Sequence, residues 1–242
     1  MKKYIRKINA FIKGLILWFR PGVFLGFLSN PFLFLSNLFC LTKWISAQQK
    51  KNTFDDFFIA TRDHARRYKL YEHVIQTESL ADIPLTYLEF GVSEGYSFRW
   101  WTNANKHPSS TFYGFDTFEG LPESWGTYGK GDMSAGIPDT QDQRCTFIKG
   151  LFQDTLFDFI KTHSLNEGRK IIHLDADLFS STLFVLATLA PCMKTGDILF
   201  FDEFNVPDHE WMAYRIFTES FYVKTEILGA VNNYYQVAFK IV

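Results

Sequence analysis

Two apolar segments in the second half of the chain each end in acidic residues. Residues 171–203 read IIHLDADLFSSTLFVLATLAPCMKTGDILFFDE, with Asp175 and Asp177 after the first segment and Asp202 and Glu203 after the second. Carboxylate oxygens that converge on one point are the ligands that Mg²⁺ and Ca²⁺ bind. The pattern therefore predicts a divalent-metal site formed by Asp175, Asp202 and Glu203. Direct binding of substrate hydroxyls by the same carboxylates is the alternative.

The elements that must position these acids are a strand, a short helix and a second strand. A strand–helix–strand unit of this length makes two parallel neighbours in one sheet. Both sets of carboxylates then emerge at the same edge, where adjacent strands lie about 4.8 Å apart. Open α/β sheets bind their ligands outside this carboxyl edge. The sequence therefore predicts an α/β fold with its site at the carboxyl ends of the strands.

An earlier apolar segment, residues 85–90, runs into a glycine-containing turn. Residues 89–95 read EFGVSEG. A strand that breaks into such a turn before a helix is typical of nucleotide-binding loops. Gly91 would let the chain turn sharply, and Gly95 would let the backbone approach a ligand. The loop is not GxGxxG, so an ordinary strand-to-helix turn is the alternative.

Further strands are predicted on both sides of the acidic segments. They cover residues 112–116 and 145–149, and then 222–228 and 234–241 joined by a turn at 229–233. Asp116 ends the first of them, 21 residues beyond Gly95. A carboxylate in that place typically accepts hydrogen bonds from ribose hydroxyls. The alternative is that Asp116 caps a helix.

Two connecting regions receive different interpretations. Residues 117–142, rich in Gly and Pro, are too long for a plain connector and are predicted to form a lid or binding loop in which Trp125 and Tyr128 reach a substrate. Residues 52–80 are predicted to form one or two polar helices. Their mixed charges are interpreted as a solvated face that includes Arg62, His64, Arg66 and Arg67. His173 alternates into a strand interior and is interpreted as a satisfied core histidine.

The first 50 residues differ from the remainder in charge. Nine basic residues and no acidic ones precede Asp55, which leaves 16 of the 25 basic residues against all 26 acidic ones. Residues 4–19 place apolar side chains at helical spacing with basic side chains on the opposite face, which is typical of an amphipathic helix on an anionic membrane surface. Residues 21–42 carry no charge, and Asn30-Pro31 in their middle favours a dip into one leaflet over a full span. The alternative is that both helices cover the domain or a dimer partner.

These features give an expected organisation and location. We expect a helical arm over residues 1–50 and a catalytic domain over residues 51–242. A net charge of -1 argues against a nucleic-acid partner. The three cysteines form no CxxC and indicate free thiols in a reducing compartment, and no signal-peptide cleavage site follows the apolar run. We therefore expect a cytoplasmic protein at the inner face of the membrane, with peripheral membrane contact through residues 1–45. A monomer and a homodimer are both compatible with the sequence.

Four motifs within residues 65–242 resemble the macrocin O-methyltransferase family. They are EFGV at 89–92, FDTFEGLP at 115–122, LDADLFSST at 174–182 and FDEF at 201–204. Members of that family are class I S-adenosylmethionine-dependent methyltransferases that act on sugar hydroxyls of macrolides and related glycosides. The resemblance implies a Rossmann-like, mostly parallel seven-stranded sheet with helices on both faces and an antiparallel last hairpin.

The resemblance also implies roles for individual residues. It implies Mg²⁺ held by Asp175, Asp202 and Glu203, although the commoner family pair is Asp-Asp where this chain has Asp202-Glu203. It implies a sugar or glycoside acceptor and an S-adenosylmethionine site. The residues implied for that site are Glu89, Phe90, Gly91, Gly95, Asp116, Thr117, Gly150, Leu151, Phe152 and Asp175.

The predicted reaction is an in-line displacement in which a hydroxyl oxygen attacks the methyl group of the sulfonium. A bound Mg²⁺ would lower the pKa of that hydroxyl. Asp177 and His209 are the candidates for the base; alternatively, Asp177 caps the helix beginning near Ser180 and His209 is simply exposed. Two other classes are open. An NAD-dependent Rossmann oxidoreductase would need the GxGxxG that is missing here, and a non-catalytic membrane-associated module of the same fold would bind without turnover.

Overall fold

Seven strands form one mixed sheet in the computed structural model, which describes residues 2–49, 53–165 and 167–242. The sheet order is β3-β2-β1-β4-β5-β7-β6. Of these seven described strands, β7 runs in the opposite direction to the other six. The strands are β1 (Leu85–Phe90), β2 (Thr111–Asp116), β3 (Cys145–Lys149), β4 (Arg169–Leu174), β5 (Ile198–Phe201), β6 (Thr225–Val231) and β7 (Gln236–Ile241). Parallel strands covered on both faces read as near-continuous apolar runs, as β4 and β5 do. The predicted α/β fold with an antiparallel last hairpin is confirmed.

Helices pack on both faces of this sheet. The α-helices of the described residues are α1 (Lys2–Phe19), α2 (Gly22–Leu25), α3 (Ser29–Gln48), α4 (Arg66–Thr77), α5 (Tyr96–Ala104), α6 (Phe152–Thr162), α7 (Phe179–Leu189) and α8 (Glu210–Phe221). Of these, α1 and α2 have no buried residue and do not pack on the sheet. One apolar layer joins α6, α7 and α8 to the sheet, and the other joins α4 and α5 to its opposite face. The sheet is thereby the middle of three layers, with its carboxyl edge left open to a cavity.

The register of the central strands places the acidic residues side by side. Leu174 pairs with Phe90 on one side and with Phe201 on the other. The ladder continues one step further, since the Asp175 N–H donates to the Phe90 carbonyl at 2.9 Å and the Asp202 N–H donates to the Leu174 carbonyl at 3.0 Å. Asp175 and Asp202 therefore emerge from neighbouring strands at the same edge, as the sequence predicts.

The prediction of helices over residues 52–80 is only partly right, because a single helix, α4, occupies the end of that region. Residues 53–65 are irregular, and Phe54 forms a parallel bridge with Gly229 of β6. The Phe54 carbonyl accepts from the Ala230 N–H at 2.8 Å. This segment therefore extends the edge of the sheet instead of forming a polar helix.

The predicted turn at residues 229–233 lies too early. Gly229 to Val231 continue β6, and the turn falls at residues 232–235. A Cβ atom on Gly229 would lie 2.8 Å from Leu70 Cδ1 and 3.0 Å from Phe54 Cδ1. The glycine is thus required by the close approach of α4 and the Phe54 segment, and not by chain reversal.

The arm begins as predicted, with a helix that ends before Pro21. Beyond it, residues Gly22–Gln48 form a run of helical turns that is long and apolar enough to cross a membrane by length and composition. Pro31 does not break α3, because it lies in the first turn, where its missing N–H would have no acceptor within the helix. The last part of α3 packs against the domain through Leu41 and Trp44. The boundary predicted near residue 50 lies outside the described residues.

Candidate active site

A cavity of about 560 Å³ opens at the carboxyl edge of the sheet. Its floor is formed by the residues that end β1, β2, β4 and β5, and its walls come from the loop over residues 117–142 and from residues just before and within α4. A volume of this size suits a ligand as large as a nucleoside with its attached group. The position is the one that the strand order of an open α/β sheet makes available for ligands.

Asp116 shapes the turn that follows β1. Its Oδ2 accepts from the backbone N–H groups of Val92 and Ser93, each at 2.8 Å, and its Oδ1 accepts from the Phe118 N–H at 2.8 Å. No helix begins within residues 117–142 of the described chain, so Asp116 is not a helix cap. Its carboxylate instead fixes two loops around the cavity, and Asp116 lines the cavity itself.

Gly91 makes the close approach of β1 and β4 possible. Its φ is +93°, and a Cβ atom there would lie 1.8 Å from the Asp175 carbonyl oxygen. Any other residue would push the turn away from the end of β4. The prediction that Gly91 allows a sharp turn is confirmed, and the turn is what brings the β1 loop beside Asp175.

Three carboxylates form a compact cluster in the cavity. Asp175, Asp177 and Glu203 each offer an oxygen within 4.8 Å of the others. Burial, and then the charge of Asp202, raise the pKa of Asp175 well above its usual value. The same two causes raise the pKa of Asp177 to about 6. Asp177 is not the cap of α7, since Leu178 precedes that helix without a side-chain cap.

Asp202 lies beside this cluster, paired with an arginine. Its Oδ2 is 3.2 Å from the Arg67 guanidinium, which also lies 3.8 Å from Asp175 Oδ2. Asp202 is 2% exposed and Arg67 17% exposed. Burial lowers the pKa of Arg67, but Asp202 and other neighbouring groups raise it more, so the guanidinium stays charged. Of the predicted ligand set, Asp175 and Glu203 therefore meet with Asp177, and Asp202 meets Arg67.

Arg67 is the main site residue that the sequence interpretation missed. The interpretation of this region as a solvated face is wrong for Arg67, which is mostly buried, whereas Arg62 and His64 are exposed but also line the cavity. Arg62 also lies over the Tyr235 ring, 3.4 Å from its centroid. The sequence did contain an indication of such a residue. Several carboxylates close together at one buried edge require a positive charge nearby, and an arginine of this region could supply it.

The acidic residues retain oxygen atoms without a partner. Asp202 Oδ1, Glu203 Oε2 and Glu210 Oε1 are buried and accept no hydrogen bond among the described residues. Glu203 Oε1 accepts from the Tyr235 hydroxyl at 3.1 Å. Unpaired buried oxygens beside a cluster of carboxylates are a suitable donor set for a hard divalent cation. The residues present therefore fit such an ion, with Asp175, Asp177 and Glu203 as its natural ligands.

Glu89 lies at the base of the cavity at the end of a buried hydrogen-bond chain. The Tyr87 hydroxyl donates to Glu89 and also contacts His173 Nδ1 at 2.7 Å, while the Tyr71 hydroxyl contacts His173 Nε2 at 3.3 Å. Burial lowers the pKa of His173 to about 3, so the ring is neutral, and the prediction of a satisfied core histidine is confirmed. Burial raises the pKa of Glu89 to about 8. A bound cationic group would favour its ionised form.

The remaining predicted residues divide into those at the cavity and those outside it. Thr117, Leu151 and Phe152 line it, together with Glu89, Gly91, Asp116, Asp175, Asp177, Asp202 and Glu203. Phe90 and Gly150 are not among the lining residues: Phe90 stacks on Phe115 in the core, and Gly150 donates its N–H to the Asp116 carbonyl. Gly95 meets the loop instead of a ligand, since a Cβ there would lie 2.8 Å from Pro138 Cγ.

His209 lies behind the cavity wall and is not among the lining residues. Its Nδ1 accepts from the Phe179 N–H at 3.2 Å, at the start of α7, and burial lowers its pKa. The two aromatic residues predicted to reach a substrate, Trp125 and Tyr128, do line the cavity, with their rings stacked at 5.7 Å. The role of His209 as a base thus has less geometric support than that of Asp177.

Comparison with known proteins gives the class of this fold. Residues 88–204 match a family model described as a methyltransferase domain. That segment runs from within β1 to just beyond β5 and holds most of the cavity floor. This segment of the chain is therefore similar to a methyltransferase domain, and it lies within a Rossmann-like seven-stranded sheet.

Two solved structures that share this fold are described as methyltransferases. One is described as CalS11, a calicheamicin methyltransferase, with a TM-score of 0.56 and 20% identity over 74% of this chain and 78% of that one. Another is described as the O-methyltransferase NovP, with a TM-score of 0.52 and 19% identity over 73% of this chain and 78% of that one. No curated protein sequence matches this chain. At these identities the likeness establishes the fold.

Proposed function

We propose that this enzyme transfers a methyl group from S-adenosylmethionine to a hydroxyl of a sugar or glycosylated acceptor, with the assistance of a divalent cation. The observation that carries the proposal is the meeting, in one cavity, of the β1 turn, Asp116 and the carboxylate cluster. One structure of CalS11 is described as a TDP-rhamnose 3'-O-methyltransferase, which supports a sugar hydroxyl as the acceptor class.

The donor would lie across the ends of β1 and β2. Asp116, held by three backbone N–H groups, would accept hydrogen bonds from the ribose hydroxyls. Glu89 would lie near the positively charged methionine portion, where its ionised form is favoured. Leu151 and Phe152 would offer an apolar surface to the adenine. Trp125 and Tyr128, on the opposite wall, would pack against the face of the acceptor sugar.

The acid cluster would prepare the acceptor hydroxyl. A divalent cation held by Asp175, Asp177 and Glu203 supplies positive charge that lowers the pKa of a nearby hydroxyl. Asp177 lines the cavity beside this cluster and is also the candidate to accept the proton of that hydroxyl. Arg67 would hold Asp202 and Asp175 in place and balance part of the negative charge. The cavity walls would orient the oxygen toward the methyl group.

The donor assignment can be tested by calorimetry with S-adenosylhomocysteine and with NADH. Binding of the first and not the second supports the methyltransferase reading, whereas binding of NADH alone would establish the oxidoreductase alternative. The wild-type chain and Asp116→Asn are compared. Loss of at least tenfold in affinity on this substitution is expected, because three backbone donors and the ribose share the carboxylate.

The reaction itself can be tested by a methyl-transfer screen over glycosides and glycolipids, with and without EDTA. Asp175→Asn should abolish turnover while S-adenosylhomocysteine binding is largely retained. Parallel loss of both would contradict the metal assignment, and EDTA-resistant turnover would contradict the need for a cation. Donor binding with no transfer to any hydroxyl acceptor would instead support the non-catalytic module.

A further inference from the structure

The helical arm changes its surroundings sharply at Asn37. Before this residue, the described part of the arm exposes nearly every apolar side chain, and α1 has no buried residue at all. The exposed apolar side chains of this part are Tyr4, Ile5, Ile8, Phe11, Ile12, Leu15, Ile16, Leu17, Trp18, Phe19, Val23, Phe24, Leu25, Phe27, Phe32, Leu33, Phe34 and Leu35. A contiguous apolar surface of this extent is not stable in water without a covering partner.

From Asn37 onward, one face of α3 is docked on the domain. Asn37 is 1% exposed, its Nδ2 donates to Asp208 Oδ1 at 2.8 Å, and its Oδ1 accepts from the Arg215 guanidinium at 3.1 Å. Two turns further on, Trp44 packs with ring centroids 5.3 Å from Phe204 and 5.5 Å from Trp211. The second half of α3 is therefore part of the folded domain, and the first half projects from it.

This division leaves too little helix to cross a membrane. The segment between Arg20 and the docked half, Gly22 to Ser36, is 15 residues long. At 1.5 Å per residue, or slightly more in a 3₁₀ turn, it extends about 23 Å. The hydrocarbon core of a bilayer is about 30 Å thick. Continuing the span through Asn37 would bury Asp208 and Arg215 in hydrocarbon, which membranes strongly disfavour.

We propose that residues 2–36 form a monotopic anchor in one leaflet of an anionic membrane. In this arrangement α1 lies in the interface plane with its lysines and arginines among acidic headgroups, and residues 22–36 dip into the same leaflet. The arm has basic residues and no acidic ones, which is the charge complementarity that an anionic surface requires. The docked half of α3 then holds the domain against the membrane surface.

One loop carries both a residue of the carboxylate cluster and residues that bind the docked half of α3. The loop after β5 supplies Glu203 to the carboxylate cluster and, in the next residue, Phe204 to the contact with Trp44. Asp208, four residues after Phe204, binds Asn37. One loop thus connects the docking site of the arm with the wall of the cavity. Resting on the proposed function, we infer that the acceptor is a lipid-linked glycoside.

Flotation with vesicles tests the anchor without reference to catalysis. The full chain should float with vesicles of phosphatidylcholine and phosphatidylglycerol, and less with phosphatidylcholine alone. Lys7→Glu combined with Lys13→Glu should lower partitioning to the anionic vesicles more than tenfold, since each basic residue near the surface contributes about a fivefold factor. The matched control is Lys161→Glu, an exposed lysine of α6, which should float like wild type. Equal loss in both variants would overturn the proposal.

Trp18 reports the depth and side of the anchor. Its indole is 76% exposed, and its fluorescence is obtained as the difference between wild type and Trp18→Phe. Lipids brominated near the headgroup should quench this difference signal more than lipids brominated near the chain ends. A tag placed before Met1 should be cleaved by protease added on the side of the domain. Protection of the tag would show that the arm spans the membrane. A stable dimer that does not float would show that a second copy of the chain covers the apolar surface of the arm. Either result overturns the proposal.

The acceptor class is tested with isotopically labelled S-adenosylmethionine and a membrane lipid extract. Label should enter the organic phase with wild type and not with Asp175→Asn. Label confined to water-soluble glycosides would overturn the lipid-linked acceptor and leave flotation unchanged. Failure to bind S-adenosylhomocysteine would overturn the proposed function instead, so the two failures are distinguishable.

Discussion

Replacing Arg67 with methionine should expose how strongly the site depends on one buried positive charge. Arg67 contacts Asp202 at 3.2 Å and Asp175 at 3.8 Å, and its own side chain is 17% exposed. Methionine keeps much of the apolar stem and removes the charge. The Asp202 carboxylate would then be almost fully buried with a single remaining contact, from the Gln236 amide at 3.4 Å.

The expected cost is large for a single substitution. Removing one partner of a buried ion pair typically costs about 3–5 kcal/mol, because the other charge is left uncompensated. For a chain of this length, about 3 kcal/mol corresponds to a fall in Tm of roughly 6–12 °C. Protonation of Asp202 limits the cost, because burial already raises the pKa of this carboxyl and Arg67 is what lowers it.

The pH dependence has a definite sign. In Arg67→Met the folded-state pKa of Asp202 rises further above its value in the unfolded chain, so the folded state binds more protons. Stability is then lost as pH rises through the window between the two values, at up to about 1.4 kcal/mol per pH unit. The destabilisation of Arg67→Met relative to wild type should therefore be larger at pH 8 than at pH 5.5.

The assay is thermal unfolding of the full chain, followed by circular dichroism in the presence of a mild detergent. The matched control is Arg66→Met, since the neighbouring arginine pairs with Asp56 at a more exposed position and should cost about 1 kcal/mol or less. The double variant Arg67→Met/Asp202→Asn should recover much of the loss. Equal costs for the two arginines, additive effects in the double variant, or a cost that shrinks as pH rises would refute this reasoning.

Four other outcomes follow from the same structure. Millimolar Mg²⁺ at about 100 times its Kd should stabilise the chain by about 2.7 kcal/mol, and Glu203→Gln should remove this shift in Tm while the exposed Asp158→Asn should not. Glu89→Gln should reduce the fall in Tm of the ligand-free chain between pH 5 and 8. The raised pKa of Glu89, about 8, makes the folded protein lose stability as pH rises through that range. An unchanged slope of Tm against pH would contradict the assignment. Gly91→Ala should fail to fold or lose several kcal/mol of unfolding free energy. Gly126→Ala, where a Cβ meets open space, should cost only about 1–2 kcal/mol because of its positive φ. Similar costs for the two variants would count against the close contact between Gly91 and Asp175. Trp44→Ala should cost about 3 kcal/mol and make α3 sensitive to limited proteolysis, whereas Trp18→Ala should leave stability unchanged.

Much of the fold was predictable because its signals are local. Runs such as ILFF in β5 are buried in full, and their composition alone marks central strands. The acids at their ends follow from chain direction. The turn after β6 was not predictable in the same way, since Gly229 resembles a turn residue but is required by the packing of Leu70 and Phe54, which lie more than 150 residues earlier in the chain.

The candidate site divides along a similar line. Asp175, Glu203, Gly91 and Asp116 could be identified because each lies at or just beyond the carboxyl end of a strand of the same sheet. The sequence did not reveal that Asp177, and not Asp202, joins Asp175 and Glu203 in the carboxylate cluster. This depends on which of the neighbouring carboxylates faces Arg67.

The sequence by itself determined the order of strands and helices, the edge at which the acidic residues emerge, and the contrast between a basic apolar arm and an acidic body. These properties depend on periodicity, composition and chain direction, which are read along the polymer. Only the tertiary structure decided that a guanidinium from α4 lies among the carboxylates and that the arm is divided at Asn37. Both are contacts between segments distant in sequence, and their partners are selected by burial and charge in three dimensions.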